Sequence, residues 1–262
     1  PKVSPSAWEL VLVNRDNKKP EMNPELATVG NIQVDKRIEN NVKELLAEAQ
    51  KIDPSFHLIS GYRSVAYQEQ LYDSYVRKEM SAGLSKEEAE KKVQTYSQPA
   101  GASEHQTGLA LDISTIDSLN EMPKDKAEKL KEAAVKLGFV RRFEDDKSSH
   151  TGVGFEDWHF RYVGAESAKY MTDKNLSLEE YIEQLKNGIG DNEGDDCEDS
   201  GTSHGGTGDW SKDKTGKVNY QDHNAWKPQE LPDDLKPYAI NPESLGMKYG
   251  STETWKLKAW NY

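Results

Sequence analysis

The stretch SEHQTGLALD, residues 103–112, joins a polar turn to a short buried strand. The apolar run LALDI, at 109–113, has the length and composition of a strand in a protein core. His105 precedes that run and Asp112 falls within it, and Gly108 between them lets the backbone turn. A buried carboxylate needs a counter-charge, and a metal ion can supply it. The stretch therefore predicts a core strand that carries a polar, metal-binding centre.

A second polar segment, EDWH at residues 156–159, also leads into an apolar run. Catalytic zinc takes three nitrogen or oxygen ligands from the protein and leaves a fourth position for water. His105, Asp112 and His159 can supply the three ligands. Glu156 then remains available as the general base that takes a proton from the attacking water. Each residue alone also has a structural explanation, such as a hydrogen-bonded histidine or a turn-forming aspartate, whereas a metal centre explains the combination.

The composition excludes several classes of function. The 262 residues carry a net charge of −12, from 46 acidic and 34 basic residues. Nucleic acids and anionic membranes attract basic surfaces, so we expect no nucleic-acid partner. No apolar run approaches the roughly 20 residues that a membrane-spanning helix needs. The single cysteine, Cys197, excludes an internal disulfide framework and a cysteine-rich metal site. The sequence shows no signal peptide and starts at Pro1, so we expect a trimmed or mature product.

Apolar periodicity predicts strands and helices that do not alternate strictly. The predicted strands cover residues 8–13, 56–60, 109–113, 139–140 and 158–163. The predicted helices cover residues 36–52, 65–80, 86–96, 123–138 and 177–186. Ser85 with Glu88, and Ser177 with Glu180, have the spacing of a capping box at a helix start. The mixed order, without a glycine-rich phosphate loop, favours an α+β fold over a doubly wound sheet.

The composition changes sharply at Gly188. Residues 1–187 mix apolar runs with turns and form one predicted domain. Residues 188–209 are rich in glycine and acidic residues, which predicts a flexible acidic linker. The order of the acids in this stretch does not fit an EF-hand calcium loop. Residues 210–262 contain aromatics but few aliphatics, which predicts a small C-terminal tail. Its role stays open between a small module, a contacting arm and the start of a further domain.

The two polar segments have a joint pattern, Ser-x-His-x-x-Gly-x-Ala-x-Asp followed by Glu-x-Trp-His. This pattern resembles the zinc signature of the D-Ala-D-Ala carboxypeptidase family, which includes VanY-type D,D-carboxypeptidases and LdcB-type L,D-carboxypeptidases. Further matching segments are LVN at 12–14, SGYRS at 60–64, YQ at 67–68 and FRYVG at 160–164. The resemblance covers about residues 8–187. It implies the fold shared with the hedgehog signalling domain, a small antiparallel sheet with flanking helices.

The resemblance also implies roles for individual residues. It assigns four residues to zinc binding and proton transfer, with His105, Asp112 and His159 as the ligands and Glu156 as the base. It assigns four others to the substrate, in that Arg63 holds the carbonyl and its oxyanion, Gln68 and Ser103 contact the peptide, and Trp158 walls the site. A guanidinium fixed at a strand-to-helix junction can stabilise charge on a carbonyl oxygen, although an isolated arginine is as easily a surface residue.

Together these observations predict a zinc peptidase that trims bacterial cell-wall peptides, with a peptidoglycan stem peptide as substrate and a terminal D-Ala as product. Two alternatives stay open: an endopeptidase of the endolysin type, and a non-catalytic zinc-containing module that binds the wall. Glu156 and Arg63 argue against the second, because binding does not need a base. We expect an extracellular, wall-associated protein whose signal or anchor is not in this sequence. The chain departs from the family at Asp157, where proline is usual, and at 77–100, a longer stretch that predicts a helical lid.

Overall fold

The protein is described here by a computed structural model, over residues 2–118 and 120–188. The predicted acidic linker beyond Gly188 and the predicted tail at 210–262 lie outside the described residues. Within them the strands are β1 (Leu26–Val29), β2 (Ile32–Asp35), β3 (His57–Ser60), β4 (Ala110–Ser114), β5 (Phe139–Arg141) and β6 (His159–Tyr162). The helices there are α1 (Glu39–Ile52), α2 (Val65–Ser81), α3 (Lys86–Val93), α4 (Lys124–Lys136), α5 (Ser148–Thr151), α6 (Ala165–Asp173) and α7 (Leu178–Lys186). Over these same ranges, no helix has both the length and the apolar character to cross a membrane.

A four-stranded antiparallel sheet, in the order β3-β4-β6-β5, carries the two polar motifs. All five residues of β4 are buried, as its apolar run predicts. The register places Asp112 on β4 opposite His159 on β6 and opposite Ser60 on β3. Residues far apart in the sequence therefore meet across three neighbouring strands. The α+β class, with a small antiparallel sheet and flanking helices, is confirmed.

The main apolar core forms where α1, α4 and the β1–β2 hairpin pack with the sheet. Helix α1 contributes Val42, Leu45 and Ala49, which recur at helical spacing on its buried face. A second apolar cluster joins α6 and α7 to Leu10 near the start of the chain and to Val140 on β5. Both clusters pack against the sheet that carries Asp112 and His159, and this close packing leaves its strands little freedom to shift.

Helices α2 and α3 form a hairpin with a small apolar cluster of its own. The four buried members of that cluster are Tyr72, Val76, Ala89 and Val93. Ser64 caps the start of α2 by accepting a hydrogen bond from the Tyr67 amide. Both predicted capping boxes, Ser85 with Glu88 and Ser177 with Glu180, are confirmed at the starts of α3 and α7. The stretch 77–100 contains the end of α2 and the whole of α3, and its role as a helical lid stays a prediction.

The strand predicted over residues 8–13 is wrong. Trp8–Leu10 is a 3-10 helix and residues 11–13 have no regular structure. Leu10 is buried by the α6–α7 cluster instead of by strand pairing. The carbonyl groups of Glu9 and Val11 accept hydrogen bonds from the Arg161 guanidinium, each at 2.8 Å, so a side chain satisfies them in place of a neighbouring strand.

Candidate active site

The three predicted metal ligands converge at one place, which we call the metal rung. Asp112 and His159 face each other on β4 and β6, and His105 lies in the 3-10 helix Glu104–Thr107 just before β4. His105 Nε2 is 3.5 Å from Asp112 Oδ1, and His159 Nδ1 is 3.1 Å from the same oxygen. One donor atom from each of the three residues lies within 4.8 Å of the others. Tetrahedral ligands on zinc bonds of about 2.0–2.2 Å are roughly 3.2–3.6 Å apart. The spacing and the N, N, O donor set therefore fit a zinc ion.

Each histidine uses its second ring nitrogen to fix its orientation. His105 Nδ1 lies 2.8 Å from the carbonyl oxygen of Gly61, which can only accept, so this nitrogen carries the hydrogen. His159 Nε2 lies 2.8 Å from Glu104 Oε1, and Nε2 is the donor when that ring is neutral. In its neutral form, each ring presents a lone pair toward Asp112. Hydrogen bonds of this kind hold metal-binding histidines in the right tautomer. Burial works to lower the pKa of His159, but Asp112 and Glu104 beside it raise that pKa to about 9, so metal binding there would displace a proton.

The electrostatics of the cluster also suit a cation. Burial works to raise the pKa of Asp112, yet His105 and His159 beside it hold that pKa well below the usual value. Burial raises the pKa of Glu156 to about 8, with Asp112 adding to the rise against the opposing effect of His159. A divalent cation among these groups would favour an ionised Glu156 and neutral histidines.

Glu156 stands beside the ligand cluster without belonging to it. Its Oε2 is 3.8 Å from His159 Nδ1, and the residue is only 6% exposed. The Glu156 amide donates to the carbonyl of Phe143, which anchors the loop before β6. The carboxylate therefore faces the place where a reacting group would approach the cluster. The neighbouring Asp157, where the family usually has proline, donates a hydrogen bond from its backbone N–H to Asn120 Oδ1.

Arg63 enters the same site from the strand-to-helix junction. Its Nη1 donates to Ser60 Oγ at 2.8 Å and lies 3.7 Å from Asp112 Oδ2. The preceding Gly61 leaves no room for a side chain, because a Cβ there would lie 2.3 Å from the carbonyl oxygen of Gln33. The close approach of this backbone to β2 explains why the SGYRS segment has glycine at this point. The Gly61 backbone thus brings Arg63 close to Asp112.

Gln68 lies behind Arg63 and is absent from the residues that line the cleft in the described part of the chain. Its Oε1 accepts from Arg63 Nε at 3.0 Å, and its Nε2 donates to the carbonyl of Gln98 at 2.7 Å. The residue is 2% exposed. The structure therefore shows Gln68 orienting Arg63, whereas a direct contact with the peptide remains a prediction. Ser103 and Trp158 do line the cleft.

The cleft over the cluster has a volume of about 350 Å3 and extends from the metal rung to the α2–α3 hairpin. Leu71, Tyr75 and Tyr96 line it on the hairpin side. Val153, in the loop between α5 and β6, lines it as well. This volume falls within the range of small-molecule and peptide pockets. The arrangement joins a buried reactive end to a more open, partly aromatic end.

Sequence reasoning missed Glu104, although the residue lies inside the SEH segment. Glu104 is 3% exposed, and besides His159 it contacts Arg142 at 3.2 Å and Arg161 at 2.9 Å. Burial works to raise its pKa, but the two guanidinium groups hold that pKa well below its usual range. Arg142 also pairs with Glu179 on α7 at 2.7 Å. The available signal in the sequence was a charged residue between two motif positions. The two arginines that it contacts show that it is not a surface residue.

Comparisons with known proteins agree with this geometry. The family model VanY, described as D-alanyl-D-alanine carboxypeptidase, matches residues 31–165. The chain belongs to the VanY family. A D-alanyl-D-alanine carboxypeptidase of Enterococcus faecalis is 35% identical over 182 residues, which make up 68% of this chain and 67% of that protein.

Two solved VanY structures resemble this chain. VanYB in complex with D-alanine-D-alanine has a TM-score of 0.62 and 35% identity, and the match covers 67% of this chain and 98% of that one. A mutant of the vancomycin resistance D,D-pentapeptidase VanY in complex with Zn(II) has a TM-score of 0.60 and 35% identity, over 67% and 99% of the two chains. The VanY match at 31–165 encloses all eight predicted site residues. Their individual roles remain predictions.

Proposed function

We propose that this chain is a zinc-dependent D,D-carboxypeptidase that removes the C-terminal D-Ala from peptidoglycan stem peptides. The observation that carries the proposal is the rung of the sheet, where His105, Asp112 and His159 converge while Glu156 stays outside the ligand set at 3.8 Å. A module that only binds needs no such carboxylate. The VanY relatives, one of them bound to D-alanine-D-alanine, support the choice of substrate.

His105 Nε2, His159 Nδ1 and an oxygen of Asp112 would hold the zinc ion. Zinc, when bound, supplies Lewis-acid chemistry that polarises a carbonyl group and makes water a better nucleophile near neutral pH. Gly61 and Glu104 keep the two imidazole rings turned toward that position. The Zn(II) complex of a VanY relative supports this choice of metal.

Glu156 acts as the proton carrier. Its carboxylate takes a proton from the attacking water as oxygen bonds to the scissile carbonyl carbon. When the C–N bond breaks, the same carboxyl gives that proton to the leaving amine of D-Ala, so Glu156 ends as it began. Burial raises the pKa of Glu156, which helps the carboxyl to hold the proton that it takes, while a bound cation would favour the ionised form that accepts this proton first.

Arg63 stabilises the oxyanion that forms on the scissile carbonyl. Ser60 and Gln68 hold its guanidinium from two sides, so little reorganisation is needed when the charge develops. Ser103 and Trp158 shape the cleft around the terminal residues. The acidic surface gives no bulk attraction to an anionic wall, and recognition comes from this cleft. A peptidoglycan substrate supports an extracellular, wall-associated location.

Digestion of defined stem peptides tests the proposal. We would incubate zinc-loaded and chelator-treated protein with a stem pentapeptide, a tetrapeptide and a cross-linked muropeptide, and identify the products by mass spectrometry. Loss of one D-Ala from the pentapeptide alone, only with zinc, is the expected result. Trimming of the tetrapeptide would reassign the enzyme to L,D-carboxypeptidases, and cleavage of the cross-link to endopeptidases. Zinc binding without any product would favour the wall-binding module.

A further inference from the structure

Arg15 joins two segments that each contribute lining residues to the cleft, although Arg15 itself does not line it. It follows the LVN segment at 12–14 and lies in a loop before β1. Its Nη1 donates to the carbonyl of Gln94 at 3.1 Å and to Gln98 Oε1 at 2.7 Å. Its Nη2 donates to the carbonyl of Gly152 at 2.9 Å. One planar guanidinium thus joins the segment after α3 to the turn after α5.

The backbone beside Arg15 leaves room for its guanidinium group. Gly152 has φ +69, and a Cβ at that position would lie 2.3 Å from Arg15 Nη2. A second link crosses the same junction, because the Gly154 amide donates to the carbonyl of Thr95 at 2.9 Å. Residues 94–98 and residues 152–154 are therefore joined both through Arg15 and directly. We name this junction the Arg15 clasp.

The clasp holds a segment that belongs to the cleft. Tyr96, Ser97 and Gln98 line the cleft, and they follow a helix hairpin whose apolar side chains form a separate cluster. A hairpin packed largely on itself depends on a few polar contacts to keep its place against the rest of the domain. The carbonyl of Gln98 also accepts from Gln68, the residue that orients Arg63.

We infer that Arg15 is a positioning residue that sets the width of the cleft where the stem peptide lies upstream of the scissile bond; this rests on the proposed function. Ser60 holds Arg63 independently of Gln68, so the reactive end keeps its geometry when the clasp is lost. Loss of the clasp therefore weakens the binding of long substrates. A short substrate that occupies only the metal end does not reach residues 94–98.

Two substrates with the same scissile bond test the clasp. We would measure kcat and KM for an acylated D-Ala-D-Ala dipeptide and for a stem pentapeptide with Arg15→Ala. We expect KM for the pentapeptide to rise about ten-fold with kcat retained, as when a few hydrogen bonds cease to order a binding wall, and both constants for the dipeptide to stay within about two-fold. Arg15→Lys should restore little, because all three partners are uncharged oxygens and the fork geometry is lost.

Arg37→Ala is the matched control. Arg37 also makes several hydrogen bonds, to Asp35, but on the side of Trp8 and away from the cleft. It should leave the ratio between the two substrates unchanged. Equal losses on both substrates with Arg15→Ala, or none on either, would overturn the inference.

Hydrogen exchange gives a readout that does not depend on catalysis. In Arg15→Ala, the amides of residues 95–98 and of Gly154 should exchange faster, while those of β4 stay protected. Unchanged protection at 95–98 would also overturn the inference. If the wild-type protein cleaves neither substrate, the proposed function fails, and the exchange result still decides whether the clasp exists.

Discussion

The metal rung and the α2–α3 wall of the same cleft are built in opposite ways. The rung lies on buried strands, and its polar groups are fixed by Gly61, Glu104 and Ser60. The wall is a helix hairpin followed by Tyr96, which is 39% exposed, and the Arg15 clasp joins this segment to the turn after α5. Reaction geometry tolerates little error, whereas a peptide can be held by a surface that adapts. The comparison predicts that changes on the rung lower kcat and that changes on the wall raise KM.

Glu156 offers the largest test of this division. Glu156→Gln keeps the shape of the side chain but cannot take a proton, so kcat should fall by roughly 10²–10⁴-fold while zinc stays bound. The measurement combines steady-state kinetics on the pentapeptide with metal analysis of the purified variant.

The matched wall variant for Glu156→Gln is Leu71→Ala, which removes an apolar group from the hairpin side of the cleft. It should raise KM several-fold with kcat nearly unchanged. A Glu156→Gln enzyme with the parental rate would break the comparison at its centre, since the rung would then lack its base.

Arg63 stands where the rung and the wall meet, and its variants sharpen the boundary between them. Arg63→Ala should lose about 2–4 kcal/mol of transition-state stabilisation, by analogy with removal of an oxyanion-hole donor. Arg63→Lys keeps the charge but not the planar fork that Ser60 and Gln68 hold, so it should not rescue kcat. Parental rates in both variants, with zinc retained, would make Arg63 a wall residue without a catalytic role.

Much of the rung could be predicted from the sequence because its geometry follows local rules. A carboxylate within a buried strand, a histidine before that strand and a second histidine on another apolar run were enough to choose three donors. The apolar spacing of α1 and α4 was equally direct. These features depend on neighbours in the sequence or on one pairing of strands.

The remainder depends on partners that are distant in the sequence. The strand predicted over 8–13 failed because Arg161, about 150 residues away, satisfies its carbonyl groups. The β1–β2 hairpin was missed because its strands are only four residues each, too short for a clear alternation. Glu104 and Arg15 were missed for a similar reason, since each is explained by hydrogen bonds to residues that are far away in the sequence.

Glu104 tests whether the rung needs its outer hydrogen bonds. Glu104→Gln keeps a partner for His159 Nε2 but removes the charge that balances Arg142 and Arg161. Zinc affinity should fall by about 10–100-fold, the usual effect of losing such a support. Competition with a chelator of known affinity measures this change. The protein should also unfold more easily, because two buried guanidinium groups lose a counter-charge.

A matched control for Glu104→Gln is Glu25→Gln, which removes a carboxylate whose partner Lys36 is 59% exposed. Surface pairs of this kind contribute little, so zinc affinity and stability should both stay near the parental values. If Glu104→Gln behaves like Glu25→Gln, the rung is held by the sheet alone, and the network behind it is dispensable.

The smallest expected effect concerns the melting temperature at low pH. We compare a carboxylate behind the metal rung with a carboxylate on the wall. Burial works to raise the pKa of Glu179, but Arg142 beside it holds that pKa below the usual value. Such a carboxylate stabilises the folded state fully above its unfolded pKa, and this stabilisation is lost as pH falls through the lower folded pKa. The melting temperature of the wild type should therefore drop as pH falls below about 4.5.

Glu179→Gln should have a melting temperature a few degrees lower at neutral pH and show a smaller drop. On the wall, a hydrogen bond from Lys92, whose side chain is 56% exposed, lowers the pKa of the half-buried Glu79, so Glu79→Gln should leave the acid response almost unchanged. Melting curves of the three proteins from pH 7 to pH 3 measure both responses, and an equal flattening in the two variants would show that hairpin and sheet are stabilised alike.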